Sequence, residues 1–532
     1  MQGLELIVIL AAVIVVCGVV GGRFAIAQPV LLLLAGILLG FAAALREVYL
    51  PPEVVLLIFL PALLYWEAIT ISLREIRTNI RGVVLMSTLL VVATAAGVAV
   101  AAHALGLAWG PAWVLGAAIA PTDATAVGTL ARNLPRRNVT ILRAESLVND
   151  GTALVLYGVA VGVTVSGRSV SMGHITWLIV LSYGGGVAAG ALVAWLGVQI
   201  RRRIHEPVLG NVVILLIPFT AYLLAELVHA SGVLAVVVSG LAMSQIGPRI
   251  GQPQTRLQTQ AFWSLATFLL NAGLFILIGI QAHSVVRNLA SADLFVGIIN
   301  VAVVYIVILA VRLLFLILAA YTIRLVDRSP RQRQLRVSNK ARVVSTVAGF
   351  RGAVSLALAL SVPATLSSGE PFPDRDLIVF ITTGVVAATL IVQGLLLPTA
   401  VRWARLPTDT SVLDERRMAY GVAAREALEA LPAIAKELGT DRHLVEQLRH
   451  EYEAHLETLV AADEEPDQEH DSRAQSVEQE KALRLALLER KRASVLRLRD
   501  QQRIDDTVLR QIQARLDVEE IRLRPEPPVA HG

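Results

Sequence analysis

Residues 139–165 read VTILRAESLVNDGTALVLYGVAVGVTV. The run is long and apolar enough to cross a bilayer as one helix, which takes roughly 20 residues, yet it carries Glu145 and Asp150. A charge in hydrocarbon costs at least a few kcal/mol, so an acid in such a place is a functional-site hypothesis by default. Within Glu145-Ser146-Leu147-Val148-Asn149-Asp150 the spacing separates two roles. Ser146 and Asp150 are i,i+4 neighbours on one helical face, and Glu145 and Asn149 are i,i+4 neighbours on the adjacent one. The first face offers oxygen ligands for a small hard cation such as Na+; the second offers a structural pair.

Comparable runs recur to residue 401. Thirteen spans are expected, near 4–20, 25–44, 53–71, 82–103, 111–131, 139–165, 175–200, 208–228, 232–246, 260–281, 293–323, 343–362 and 377–401. The chain of 532 residues is 55% apolar and 17% charged, against about 25% charged in an ordinary soluble protein. The first 404 residues therefore read as an all-α polytopic membrane domain and not as a soluble enzyme. The first span lacks the basic start and cleavage site of a signal peptide and is kept as a helix. Cys17 has no partner, which excludes a disulfide scaffold.

Charge orients the spans. Residues 1–404 hold 27 of the 47 Lys+Arg and 15 of the 42 Asp+Glu. With the N-terminus outside, 21 of those bases fall on inner loops and span ends and only 4 on outer loops, the bias of positive-inside sorting. Bases scattered between apolar runs do not form a nucleic-acid surface. The remaining two, Arg312 and Arg351, lie deep within spans. Thirteen spans also allow the first six and the last six to form inverted repeats joined by the seventh.

Glu5, Glu53 and Asp293 sit at the very start of spans and can reach the interface; five other acids lie inside spans: Glu67, Asp123, Glu145, Asp150 and Glu226. Asp123 is about twelve residues into the fifth span and Asp150 about eleven into the sixth, so at 1.5 Å per residue both lie near the midplane. Two carboxylates at one depth on consecutive antiparallel helices define one expected site. In Ala120-Pro121-Thr122-Asp123-Ala124 the proline removes a helical hydrogen bond. A break there frees backbone carbonyls beside a carboxylate, as in transporters that coordinate a cation at mid-membrane. Glu67 fits a ligand, an entrance charge or a snorkelling acid. Glu226 reads as interfacial. Glu145 is the natural partner of Arg312 or Arg351, because an unpaired buried charge is far costlier than a paired one. Gly349 and Gly352 around Arg351 allow the twelfth span to be discontinuous and to cross the fifth. Asn271 and Gln281 in the tenth span read as interhelical hydrogen-bond formers. The histidines lack metal-ligand spacing, and no cofactor is expected.

Four motifs in this order resemble the monovalent cation:proton antiporter-1 family, the Na+/H+ exchangers of bacteria, archaea and eukaryotes. They are Phe59-Leu60-Pro61-Ala62-Leu63-Leu64 leading to Glu67, Thr122-Asp123, Glu145-Ser146 with Asn149-Asp150, and Gly349-Phe350-Arg351-Gly352-Ala353. The resemblance covers residues 1–404 and implies an inverted-repeat antiporter with crossed, discontinuous fifth and twelfth helices. It implies a plasma-membrane protein, usually a homodimer, that exchanges Na+ for H+. Asp150 would bind Na+ or H+ in turn, with Asp123, Ser146, the Thr122 backbone and Glu67 completing the ion site. Glu145 would pair with Arg312. Asn149, where related electrogenic antiporters have a second Asp, implies electroneutral one-for-one exchange. The family commonly has Pro after the Thr-Asp, where this chain has Ala124. K+ or Li+ in place of Na+ stays open. So does a second class, a cation channel or a carrier of another solute. An intramembrane aspartyl hydrolase built on Asp123 and Asp150 lacks its Gly-x-Gly-Asp motif and leaves Asn149 without a role.

Residues 405–532 hold the other 20 bases and 27 acids and read as a cytoplasmic helical tail, regulatory or dimer-stabilising. Gly421–Val460 has helical spacing, and Asp463–Glu469 reads as a solvated linker. Val477–Arg524 reads as two amphipathic helices with stripes at Leu483, Leu487 and Leu488, then Val508, Leu509, Ile512 and Leu516.

Overall fold

A helix that meets lipid all round needs no polar face, and most of the helices here have none. A computed structural model describes residues 2–24, 28–42, 55–123, 136–166, 172–204, 206–250, 253–288, 291–326, 338–406, 411–461, 468–501, 503 and 506–523. Among them there is no strand, and the helices fall into two compact units that divide at Thr408 and Asp409.

The first unit contains nine helices long and apolar enough to cross a membrane, among the described residues. They are α1 (Gln2–Phe24), α4 (Ile80–Ala104), α6 (Arg136–Ser166), α7 (Met172–Arg203), α8 (Pro207–Leu227), α9 (Gly232–Ile250), α10 (Pro253–Asn288), α11 (Ser291–Val326) and α13 (Arg375–Ala404). Three shorter apolar helices join them: α2 (Gln28–Leu39), α3 (Leu60–Thr70) and α5 (Trp109–Ile119). An interrupted helix completes the unit, with halves α12a (Asn339–Val347) and α12b (Ala353–Leu360). Val8, Val15 and Val19 on α1, and Phe295, Leu314 and Leu318 on α11, are exposed. Apolar surface on that scale belongs against lipid, and the chain is a multi-pass membrane protein.

The helices sort into bundles. One buried cluster comes only from α4, α5, α6, α11, α12b, α13 and their connections, including Val98, Leu115, Ile119, Tyr157, Val304, Ile308 and Ile381. A second gathers α3, α7, α8 and α9, with Trp263 of α10 and Leu147 of α6. A third joins α1, α2 and α10 to α12 and α13. Lipid does not drive apolar helices together as water does, so small residues that let backbones approach supply the packing. Gly36 of α2 and Gly279 of α10 face each other with their Cα atoms closer to the opposite backbone than any side chain permits. Gly116 of α5 packs in the same way on Ala95 of α4, and Gly190 of α7 on Ala235 of α9.

The second unit is a pair of helical hairpins: α14 (Ser411–Leu438) with α15 (Arg442–Ala461), and α16 (Gln468–Asp500) with α17 (Asp506–Leu523). Gly439, at φ +66°, turns the first hairpin. In the second, Arg492 pairs with Asp517 and Glu520, and Lys491 with Glu519. Leu488, Leu509 and Leu516 are buried there, but Leu483 and Leu487 are exposed, so the expected stripe on α16 is only partly covered. The expected linker is shorter at its far end, since α16 already begins at Gln468.

Closing the Gly36–Gly279 contact with a side chain forces α2 and α10 apart. Gly279→Ala should destabilise the purified protein by about 1–3 kcal/mol, read as a lower unfolding temperature in detergent. Gly273→Ala on the same helix meets open space and should leave the temperature unchanged or raise it.

Candidate ion site at the crossing of two interrupted helices

Helix α5 stops at Ile119 because Pro121 has no N–H to continue the ladder, and residues 120–123 leave the helix without regular structure. Helix α12 is interrupted over residues 348–352, where Gly349 and Gly352 supply the freedom. The two breaks cross. The backbone N–H of Asp123 donates to the carbonyl of Phe350 at 2.9 Å. Gly352 lies so close to Asp123 that a Cβ there would occupy the space of the carboxylate. Ala124 lies outside the described residues.

Two buried arginines serve the broken ends. Arg351 donates from Nε to the carbonyl of Ile119 at 2.8 Å and from Nη1 to that of Gly349 at 2.7 Å. Ile119 is the last residue of α5 and Gly349 lies just past the end of α12a, so the positive charge of Arg351 also meets the negative end of each helix dipole. Its backbone N–H donates to Thr389 Oγ1 at 3.2 Å, and Thr389 opens a π-helical turn of α13. Arg312 of α11 forms a two-pronged pair with Glu145 of α6, at 2.5 Å to Oε1 and 3.0 Å to Oε2. Its Nε donates to the carbonyl of Ser345 in α12a at 3.0 Å. Thr122 Oγ1 donates to Glu145 Oε1 at 3.3 Å and accepts from Asn149 Nδ2 at 2.7 Å. Glu145, Asn149, Arg312 and Arg351 thus hold the crossing together.

The cavity lies beside that network. Asp123 and Thr122 line it from the α5 break, Ser146 and Asp150 from α6, and Glu67 from α3. The i,i+4 spacing explains the division on α6: one face turns Ser146 and Asp150 to the cavity, while the next turns Glu145 and Asn149 to the network. The cavity offers about 50 Å³ of water-accessible space, room for an ion and a few waters. Asn271 of α10 also lines it, although its sequence context had pointed to a helix–helix hydrogen bond. So does Ser355 of α12b, which no sequence feature had singled out. A serine in an apolar run costs too little to stand out; the one available signal was the position of Ser355 three residues after Gly352, at the start of a resumed helix. Among the described residues no group of three His, Cys, Asp or Glu closes into a resident metal centre.

A small carboxylate-lined cavity at mid-helix, where two interrupted helices cross, is the architecture of a secondary ion transporter. Residues 9–403 match the family described as sodium/hydrogen exchanger, transmembrane, and the chain belongs to that family. It is 44% identical over 525 residues to a protein of Mycobacterium tuberculosis named as an uncharacterized Na+/H+ exchanger, with 98% of this chain and 96% of that one covered. It is 32% identical over 412 residues to the Na+/H+ antiporter ApNhaP of Aphanothece halophytica, covering 77% and 75% of the two chains. The solved structure of the sodium proton antiporter MjNhaP1 of Methanocaldococcus jannaschii superposes with a TM-score of 0.57 at 21% identity. It covers 76% of this chain and 99% of that one, and so shares the fold.

Breaking the Glu145–Arg312 pair leaves a charge stranded in a dry interior. Arg312→Met should destabilise the purified protein by about 3–5 kcal/mol, and adding Glu145→Gln should recover a large part of that loss. Equal losses in the single and the double variant would show that the pair itself is not what holds the crossing.

Proposed function

We propose that this protein is a secondary antiporter that exchanges Na+ for H+ across the plasma membrane. The observation that carries the reading is the meeting of Asp150, Asp123, Glu67 and the Ser146 hydroxyl in one small cavity. Carboxylates so placed repel each other unless a proton or a cation lies among them. A proton and a Na+ therefore compete for the same oxygens, with Asp150 as the carboxylate that takes them in turn. Asp123, Ser146, Glu67 and the backbone of Thr122 complete the shell, because the Thr122 hydroxyl is already engaged by Glu145 and Asn149. K+ and Li+ are the alternative cargoes.

Alternating access follows from the bundles. The cavity lies between α3 and α10 on one side and α5, α6 and α12b on the other. Rocking of α4–α6 with α11–α13 against the remaining helices would expose the same site to each side of the membrane. In this reading the chain crosses the bilayer thirteen times as two inverted repeats, with the N-terminus outside and the tail cytoplasmic. The protein works as a homodimer, and residues 405–532 regulate it or stabilise the dimer.

Asn149 sets the charge balance. Its amide donates to Thr122 Oγ1 and adds no charge beside the cavity, which supports one-for-one, electroneutral exchange. In proteoliposomes under a clamped membrane potential, the native exchange rate should ignore voltage. Asn149→Asp adds a carboxylate and should make the rate respond to voltage; a native rate that follows the potential would overturn the electroneutral reading.

Opposing cation and pH gradients across vesicle membranes test the site itself. The native chain should move protons when Na+, K+ or Li+ is supplied on one side, and the order of rates identifies the cargo. Asp150→Asn should abolish that proton movement. Exchange that survives the substitution would remove Asp150 from the role assigned to it, and cation flux without coupled protons would mean a channel.

A further inference from the structure

The first turn of α12b forms one wall of the cavity, and nothing in the exchange proposed above uses it. That wall is made by Gly352, Ala353, Val354 and Ser355. It is an unwelcoming surface for a cation. A resumed helix begins with N–H groups that have no helical acceptor and carries the positive end of its dipole there. The only polar side-chain atom on it is Ser355 Oγ.

Ser355 is 1% exposed, and its Oγ has no hydrogen-bond partner among the described residues. Leaving a buried hydroxyl unpaired costs about 1–3 kcal/mol. Alanine at this position would avoid that cost and favour the helix more strongly, as Ala353, Ala357 and Ala359 on the same half-helix illustrate. A static packing role therefore gives no reason for a serine here. A partner that comes and goes does. Ser355 shares its cavity with Asp123 and Asp150, and a hydroxyl lone pair in a cavity that two carboxylates also line suits the oxygen shell of a hard monovalent cation.

We propose that Ser355 is a ligand of the transported cation, supplied by α12b against Ser146 and Asp150 on α6. The assignment rests on the antiport reading. It makes the ion shell span both interrupted helices, since Asp123 belongs to the α5 break and Ser355 to the resumed α12. Loading and unloading of the cation would then be felt directly at the crossing.

The test uses the full chain in proteoliposomes, with Na+ as the varied cation. Ser355→Ala should raise the KM for Na+ about tenfold, equivalent to about 1.4 kcal/mol, with kcat kept within about twofold. Ser355→Thr, which retains the hydroxyl, should restore the native KM. In detergent without cation, Ser355→Ala should unfold at the native temperature or above it, because the unpaired hydroxyl is gone. The rise in unfolding temperature that Na+ gives the native chain should shrink in the variant. A native KM in Ser355→Ala, with Asp150→Asn inactive in parallel vesicles, overturns the Ser355 assignment and leaves the antiport reading standing. A fall in kcat at unchanged KM overturns it as well. Failure of the native chain to couple Na+, K+ or Li+ to protons overturns both.

Discussion

Two helices interrupted in the middle of a membrane leave backbone groups that hydrocarbon cannot satisfy, and two buried arginines answer that demand. Each unsatisfied group there costs several kcal/mol, so a break survives only where protein atoms reach it. Arg351 takes the last carbonyl of α5 and the Gly349 carbonyl in the break of α12 with one guanidinium. Arg312 takes a carbonyl of α12a and both oxygens of Glu145. Glycine is required where these groups meet: a side chain on Gly349 would strike the Arg312 guanidinium, and one on Gly352 would displace the Asp123 carboxylate. The carboxylate at the break is therefore positioned by the same contacts that make the break tolerable.

Much of this was legible in the sequence because membrane burial turns single residues into signals. An apolar run of span length is a local property. Among the described residues the nine helices long and apolar enough to cross a membrane each fall on one of the expected runs, while α3 and α5 are shorter than their runs and α12 is divided. The acids stood out for the same reason: Asp123, Asp150 and Glu67 of the cavity and Glu145 of the network each interrupt an apolar stretch. Arg351 was harder to read. Its partners are main-chain carbonyls of residues 119 and 349, and a carbonyl leaves no mark in the residue string. Ser355 escaped, and Asn271 was read as a helix–helix contact without a place in the cavity, since an uncharged polar side chain in a span has many ordinary uses. In the tail, helical spacing identified the stripe on α16, but spacing does not say how far a partner helix extends. Leu488 is covered while Leu483 and Leu487 are not.

Thr122 belongs both to the network and to the cavity. Thr122 accepts from Asn149 and donates to Glu145 through its hydroxyl, while its residue lines the cavity beside Asp123. A hydroxyl has a single proton to donate, so the direction of this chain of bonds is set by Asn149, which can donate where an aspartate at the same place could only accept. The amide at residue 149 therefore bears on how the broken segment of α5 is held. A second carboxylate beside Glu145 would compete for the Thr122 proton and for Arg312. An asparagine leaves the Arg312–Glu145 pair with one acid and one base, and in the exchange we propose the cavity carboxylates are the groups that trade a proton for a cation.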